Sequence, residues 1–199
     1  AKGKGAAGIL VGGICCTGNE ILQRHGVPPA GDYLMQELAV VTGACDAMVV
    51  DVQCVFQNLA NVVKCFHTKL ITTHPMAKME QDNVIHIEFD EHHAMEDAKR
   101  IVRMAIDNFQ NRGADVMIPK QKATQIAGFS VEAIQYHLGG TFRGSYYTLN
   151  DNIINGRIRG VAGVVGCTNP RSKQDFSHVE LVKELIKNDV IVLSTGCSA

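Results

Sequence analysis

The sequence has no tryptophan, almost no net charge and no long apolar run. Its 199 residues carry a formal net charge of −1 at pH 7, so the chain lacks the charge that attracts nucleic acids or anionic membranes. No apolar stretch approaches the ~20 residues that span a bilayer, and we detect no signal-peptide pattern at the start of the chain. We therefore expect a soluble, cytoplasmic protein with no nucleic-acid partner.

Two common local motifs are also missing. No G-x-G-x-x-G fingerprint follows the first predicted strand, because Gly12 and Gly13 lead directly to Cys15 and Cys16; this argues against a Rossmann-like nucleotide-binding module. The seven cysteines form no C-x2-C clip of the zinc-finger kind. Their odd number and the lack of a secretion signal disfavour a disulfide framework. Metal binding and simple burial remain as roles for these thiols.

Short β-branched runs alternate with helical patterns along the chain. Near-continuous apolar runs are typical of parallel strands buried on both faces, and we predict strands at residues 8–11, 47–52, 69–73, 84–87, 125–128, 161–165 and 190–193. Apolar residues at helical spacing predict helices at 94–109 and 178–187 and another through Leu34, Leu38 and Val41 that ends at Gly43. The alternation predicts an α/β protein with Rossmann-like, doubly wound parallel sheets.

Two S/T-x-x-E patterns predict helix starts. Ser177 with Glu180, and Thr17 with Glu20, have the spacing of a capping box. A boundary is predicted near residue 113, which gives a nearly complete Rossmann-like middle domain at 1–113 and the first part of a second one at 114–199. Because the chain lacks an initiator methionine and stops directly after a predicted strand, where a crossover helix normally follows, we expect an internal piece of a longer protein.

Four cysteines share one position in this predicted fold. Cys16, Cys54, Cys167 and Cys197 each follow a predicted strand, at the edge where open α/β sheets bind their ligands. Helix N-termini at this edge stabilise thiolates, and thiolates favour iron–sulfur clusters or other thiophilic metals. The pattern alone leaves a metal site and separately buried thiols as alternatives.

The remaining cysteines and the histidines carry less signal. We predict that Cys15 is a buried thiol beside the site and that Cys45 and Cys65 are core residues. His92 and His93 precede an amphipathic helix, where solvated or capping roles are expected. None of the eight histidines has a spacing that indicates metal ligation.

The four cysteine segments, at residues 13–20, 49–54, 164–169 and 194–198, resemble the ligand segments of anaerobic nickel carbon monoxide dehydrogenases. Their order and their cysteine separations of 38, 113 and 30 residues are similar to those of that family. The resemblance extends through the intervening sequence. It implies that Cys16 binds an iron outside the cubane of a nickel–iron–sulfur cluster, and that Cys54, Cys167 and Cys197 bind the cubane irons.

The same resemblance implies the function of a parent enzyme. Such an enzyme interconverts CO and water with CO2, two protons and two electrons, carries further 4Fe–4S clusters, uses an electron acceptor such as ferredoxin, and is a homodimer. The family's remaining iron-binding histidine, its nickel-binding cysteine and its catalytic histidine and lysine have no counterpart here, so no catalytic residue is assigned and we expect the isolated chain to be inactive. Two alternatives remain, a hybrid-cluster protein of the hydroxylamine reductase type and a metal-free Rossmann-like scaffold.

Overall fold

The computed structural model describes residues 1–121, 123–124 and 128–199. The chain divides into two compact units, and each is described separately. Unit 1 consists of Ala1–Ile14 and Tyr33–Lys122, and unit 2 consists of Cys15–Asp32 and Ala123–Ala199. The domain assignment of 1–113 and 114–199 stays a prediction.

Unit 1 contains a parallel sheet with helices around it. The short strand β1 (Gly13–Ile14) lies in unit 1, and the short strand β2 (Pro29–Gly31) lies in unit 2. The sheet of unit 1 consists of β3 (Ala47–Val50), β4 (Lys69–Thr72) and β5 (Val84–His86). They are ordered β3-β4-β5, and Met48 is opposite Leu70. The helices are α1 (Gln36–Val41), α2 (Leu59–Val62) and α3 (Ala94–Asn108), with 3-10 turns at Lys2–Lys4, Tyr33–Met35, Val63–Cys65, Pro75–Ala77 and Phe109–Asn111.

The core of unit 1 lies between this sheet and the first two helices. It consists of Val40, Met48, Leu59, Ala60, Val63 and Leu70. Alternate residues of a strand face opposite sides of its sheet, and burial of apolar side chains is the main stabilising term in folding. The buried residues of α1 and α2 cover one side of the sheet in this way.

Unit 2 pairs two longer strands. Its elements are α4 (Val131–Gly139), α5 (Tyr147–Ile154), β6 (Gly160–Val164), α6 (Phe176–Lys187) and β7 (Val190–Ser194). Strands β6 and β7 are parallel, with Gly160 opposite Val190 and Val164 opposite Ser194. A π-helix at Thr17–Ile21, a 3-10 turn at Leu22–His25 and another at Gly196–Ser198 complete the unit.

The predicted α/β class with parallel, Rossmann-like sheets is confirmed, and several local predictions are corrected. Residues 8–11 form no strand and Leu10 is 87% exposed, because glycines on both sides of this short apolar run disfavour extended pairing. The predicted strand at 125–128 falls on residues 125–127, which lie outside the described residues. Within the part of the chain that the structure describes, no helix has the length and hydrophobicity needed to cross a membrane.

Both capping-box predictions are wrong. Helix α6 begins two residues earlier than the Ser177 pattern implies, and its N-cap is Asp175 with φ +62° and no side-chain cap hydrogen bond. Thr17 begins a π-helix whose N-cap is Cys16, again without a side-chain cap. Glu20 instead accepts a hydrogen bond from Thr195, a residue far along the chain.

Candidate metal centre

Two cysteine-bearing turns leave neighbouring strands of unit 2 at the same edge. Val164 and Ser194 are opposite each other at the carboxyl ends of β6 and β7, and Cys167 and Cys197 each follow three residues later. Gly166 has φ +116°, a conformation that glycine adopts readily and that lets the chain turn directly before Cys167. The predicted strand-end position is therefore observed for both thiols.

The turn at Gly196–Ser198 is fixed to the ends of both strands. The Ser198 hydroxyl lies 2.9 Å from the Val164 carbonyl oxygen, 2.8 Å from the Thr195 carbonyl oxygen and 3.0 Å from the Ser194 hydroxyl. Cys197 lies inside this turn and is only 8% exposed. A serine after the cysteine thus holds the Cys197 backbone against the end of β6.

Cys16 lies directly against this turn. A Cβ atom placed on Gly196 would be 2.8 Å from the Cys16 Sγ atom and 3.4 Å from the Glu20 Oε1 atom. Gly196 also has φ +69°, so glycine meets both the steric and the backbone requirement. The space beside Gly196 therefore holds the sulfur of Cys16 next to the residue that precedes Cys197.

Two side chains of the π-helix reach the same turn. The Thr195 hydroxyl donates a hydrogen bond of 2.7 Å to the Glu20 Oε1 atom, and the Asn19 amide donates one of 3.4 Å to the Gly196 carbonyl oxygen. Sequence reasoning missed both contacts, because it assigned Glu20 to a local capping box. A local pattern carries no signal for a partner that is 175 residues away.

A buried polar group orders the loop after Cys167. The Gln174 amide donates to the Asp32 Oδ2 atom at 2.7 Å, and the Thr168 hydroxyl donates to the same oxygen at 3.3 Å. Thr168 is 4% exposed, so its polar group needs such a partner inside the protein. Sequence reasoning gave these residues no role, and no motif marks them.

Cys54 belongs to unit 1 and follows β3 by four residues. It is half-buried and has φ +57°, in the left-handed region that residues with a Cβ atom rarely adopt. The side-chain amide of the buried Gln36 donates a hydrogen bond to the Cys54 carbonyl oxygen. The helix α1 thus supports an unfavourable backbone conformation at a cysteine.

The other three cysteines differ in their surroundings. Cys15 is buried, as predicted, and Cys45 packs against the core of unit 1. Burial, followed by the charge of Asp46, raises the pKa of the Cys45 thiol to about 11. The core prediction for Cys65 is wrong: it ends the 3-10 turn Val63–Cys65 and its side chain is exposed, because this short turn buries Val63 instead.

The histidine pair at the start of α3 is exposed, in agreement with the predicted solvated role. The His93 Nδ1 atom lies 2.8 Å from the Asp90 Oδ2 atom. Its hydrogen bond to Asp90 raises the pKa of His93 and lowers the pKa of Asp90. These groups form a surface ion pair, which contributes little to stability.

The donor set has the right chemistry for an iron–sulfur cluster, since every predicted ligand is a thiol. Cys16, Cys167 and Cys197 all belong to unit 2, whereas Cys54 belongs to unit 1. Among the residues that the structure describes, no three His, Cys, Asp or Glu side chains are grouped closely enough to hold a metal ion. The ligand set therefore stays a prediction. It is supported by the packing of the Cys16 sulfur against Gly196 and by the paired ends of β6 and β7.

Open α/β sheets bind their ligands at the carboxyl ends of parallel strands, and cysteine thiolates are the usual ligands of iron–sulfur clusters; the turns at Cys167 and Cys197 combine these two features. The chain matches the Prismane/CO dehydrogenase family over residues 2–199 and belongs to that family.

Named relatives agree with this assignment. Carbon monoxide dehydrogenase 1 of Methanosarcina mazei is 52% identical over 100% of this chain and 31% of its own length. The solved structure of carbon monoxide dehydrogenase IV from Carboxydothermus hydrogenoformans superposes with a TM-score of 0.83 at 51% identity, and covers 99% of this chain and 31% of that one. A nickel-free carbon monoxide dehydrogenase from Thermococcus sp. AM4 gives a TM-score of 0.83 at 52% identity, with 99% and 30% covered. The chain thus spans about a third of the length of these relatives.

Proposed function

We propose that this chain is the cluster-binding part of an anaerobic, cytoplasmic carbon monoxide dehydrogenase. The parent enzyme interconverts CO and water with CO2, two protons and two electrons. The observation that carries the proposal is the matched position of Cys167 and Cys197 after paired strands, in a chain about 50% identical to relatives named for this activity.

In this proposal, Cys16, Cys54, Cys167 and Cys197 hold a nickel–iron–sulfur cluster as thiolates. When bound, the cluster supplies Lewis acidity toward CO and water and accepts the two electrons. The role of this chain is to orient the sulfur atoms and keep them in a fixed geometry. Ser198 holds the Cys197 turn, and Thr168 and Gln174 hold the Cys167 loop through Asp32.

Nickel as a normal component is supported by one relative that is described as a nickel-free form of the enzyme. Further 4Fe–4S clusters of the parent carry electrons to an acceptor such as ferredoxin, and the parent is a homodimer. Both statements rest on the family resemblance. No residue of this chain is assigned a role in proton transfer.

The substitution Cys16→Ala in the full-length enzyme tests the proposal. We expect the loss of the iron that this thiol binds, because the substitution removes its thiolate ligand. We also expect the loss of CO-dependent viologen reduction. Metal analysis of anaerobically purified protein and the viologen assay give the two readouts. Cys65→Ala is the matched control, since this thiol is exposed and follows no strand.

A Cys16→Ala enzyme with a full metal complement and wild-type CO oxidation would contradict the proposal. A hybrid-cluster protein of the hydroxylamine reductase type is the alternative, and the family description names prismane beside CO dehydrogenase. Hydroxylamine-dependent oxidation of reduced viologen, without CO-dependent reduction, would favour that alternative.

A further inference from the structure

We propose that Glu20 and Thr195 are positioning residues that hold the Cys197 turn against Cys16 before any metal binds. This inference rests on the proposed function for its purpose, because it concerns two of the four predicted ligands. Their hydrogen bond, which we name the Glu20–Thr195 clasp, joins the π-helix Thr17–Ile21 to the segment that carries Cys197.

The clasp joins parts of unit 2 that are far apart in sequence. The 2.7 Å bond from the Thr195 hydroxyl ends on a carboxylate oxygen, and hydrogen bonds to charged groups are stronger than neutral ones. The weaker bond from Asn19 to the Gly196 carbonyl oxygen lies beside it. Together the two bonds fix residues 195–196 to the π-helix through one donor, the Thr195 hydroxyl, and one acceptor, the Gly196 carbonyl oxygen.

The packing at Gly196 links the Glu20–Thr195 clasp to the positions of the Cys16 and Cys197 thiols. The sulfur of Cys16 occupies the space that a Cβ atom of Gly196 would fill, and the Glu20 carboxylate borders the same space. Cys197 is the next residue along the chain and is buried. Any movement of the turn away from Glu20 therefore exposes Cys197 and changes its position relative to Cys16.

Ordered ligands bind a metal more tightly, because the cost of ordering them has already been met during folding. Loss of residues that orient metal ligands typically lowers metal affinity about 10–100-fold. The clasp is therefore expected to affect both the metal-free protein and its loading with iron. The effect on the metal-free protein separates this inference from the proposed function.

The test uses the full-length protein in its metal-free form, treated with iodoacetamide under anaerobic conditions. Peptide mass spectrometry follows the alkylation of Cys197, with the exposed Cys167 as the internal reference. Glu20→Ala and Thr195→Val should each accelerate alkylation of Cys197 about tenfold, which corresponds to the loss of a hydrogen bond of about 1.4 kcal/mol. Alkylation of Cys167 should stay unchanged.

Conservative variants show whether the hydrogen bond itself is responsible. Glu20→Gln keeps an acceptor and Thr195→Ser keeps the hydroxyl, so both should restore most of the protection of Cys197. Glu180→Ala is the matched control, because it removes an exposed glutamate that pairs with Lys183 on α6. The double variant Glu20→Ala/Thr195→Val should be no more reactive than either single variant, since the two residues share one bond.

A second readout measures iron retained after reconstitution with ferrous iron and sulfide. The two clasp-breaking variants should retain less iron than the wild type, and the conservative variants should match it. Unchanged alkylation of Cys197 in both clasp-breaking variants, or equal acceleration at Cys167, would overturn the inference. A wild-type protein that binds no iron would overturn the proposed function alone, because the alkylation result does not depend on metal.

Discussion

In the described part of the chain, four residues other than glycine have a positive φ, and two of them are cysteines. Asp175 and Asp189 are a residue type that enters the left-handed region with little cost, whereas Cys15 (φ +59°) and Cys54 (φ +57°) are not. Such conformations persist where the surrounding structure imposes them, often at functional sites. At Cys54, the hydrogen bond from the buried Gln36 amide to the Cys54 carbonyl oxygen helps to impose this conformation.

Two substitutions of Cys54 separate backbone strain from thiol chemistry. Both Cys54→Gly and Cys54→Ala remove the thiol, but only alanine keeps a Cβ atom in the left-handed region. We expect the glycine variant to be more stable than the alanine variant by about 1 kcal/mol. Hydrogen–deuterium exchange of peptides that follow β3 measures the difference, and equal protection of the two variants would contradict it.

The Cys45 thiol predicts a dependence of stability on pH. Burial raises its pKa from 9.0 to about 11, so the folded protein binds this proton more tightly than the unfolded chain does. The stabilisation is fully present below pH 9, falls as the pH rises, and is lost above pH 11. The melting temperature should therefore decrease more steeply between pH 9 and 11 in the wild type than in Cys45→Ser. Parallel curves for the two proteins would exclude this role.

At the level of elements, a partly buried ion pair joins Arg112, which follows the 3-10 turn after α3, to Asp46, which precedes β3. The Arg112 guanidinium donates to both Asp46 carboxylate oxygens, at 3.2 and 2.6 Å, and to the Ala44 carbonyl oxygen at 2.7 Å. His67 contacts the same carboxylate at 2.9 Å. Asn108, the last residue of α3, adds hydrogen bonds to the carbonyl oxygens of Asp46 and His67. It therefore fixes the segments that lead into β3 and β4.

Removal of this guanidinium should loosen unit 1. Arg112→Ala leaves the Asp46 carboxylate without its strongest partner, and we expect the free energy of unfolding to decrease by about 2–3 kcal/mol. Lys183→Ala, which removes an exposed ion pair with Glu180, should cost less than about 0.5 kcal/mol. Hydrogen–deuterium exchange of peptides from β3 and α3 measures the local effect. Equal protection of β3 in the two variants would show that the ion pair is only a surface contact.

Some elements were predictable from the sequence and others were not. Helix α3 was predictable to within one residue, at 94–109 against Ala94–Asn108, because its apolar residues recur at helical spacing. Strands β4, β6 and β7 were predictable from their β-branched runs. The start of α6 was not, because a short S-x-x-E match also occurs inside helices, and here the helix begins at Phe176 with Asp175 as its N-cap.

The candidate centre shows the same division. The positions of Cys167 and Cys197 after strands were predictable, because each follows an apolar run that pairs in register. The contacts that hold them were not, since Glu20 meets Thr195 and Thr168 meets Asp32 only after the chain has folded. The left-handed conformations of Cys15 and Cys54 likewise depend on tertiary contacts that no local pattern encodes.

For the whole molecule, the activity of the isolated chain tests the proposed division of ligands. It spans 31% of the length of the Methanosarcina mazei relative, and the proposed ligand set assigns this chain no nickel-binding cysteine and no catalytic residue. We expect the isolated 199-residue chain to show no CO-dependent viologen reduction under anaerobic conditions. The full-length enzyme, assayed in parallel, is the positive control. Measurable turnover by the isolated chain would show that the proposed division of ligands is wrong.

The pairing of β6 with β7 has a consequence for how this part of the family can change over evolution. Val164 is opposite Ser194, and the two cysteines follow their strands by the same three residues. The distance between the two sulfur-bearing turns is therefore set by strand register and not by the length of chain between them. Insertions or deletions in the turn between α6 and β7 can accumulate without moving either cysteine, whereas a one-residue shift inside β7 would displace Cys197 and Ser198 together.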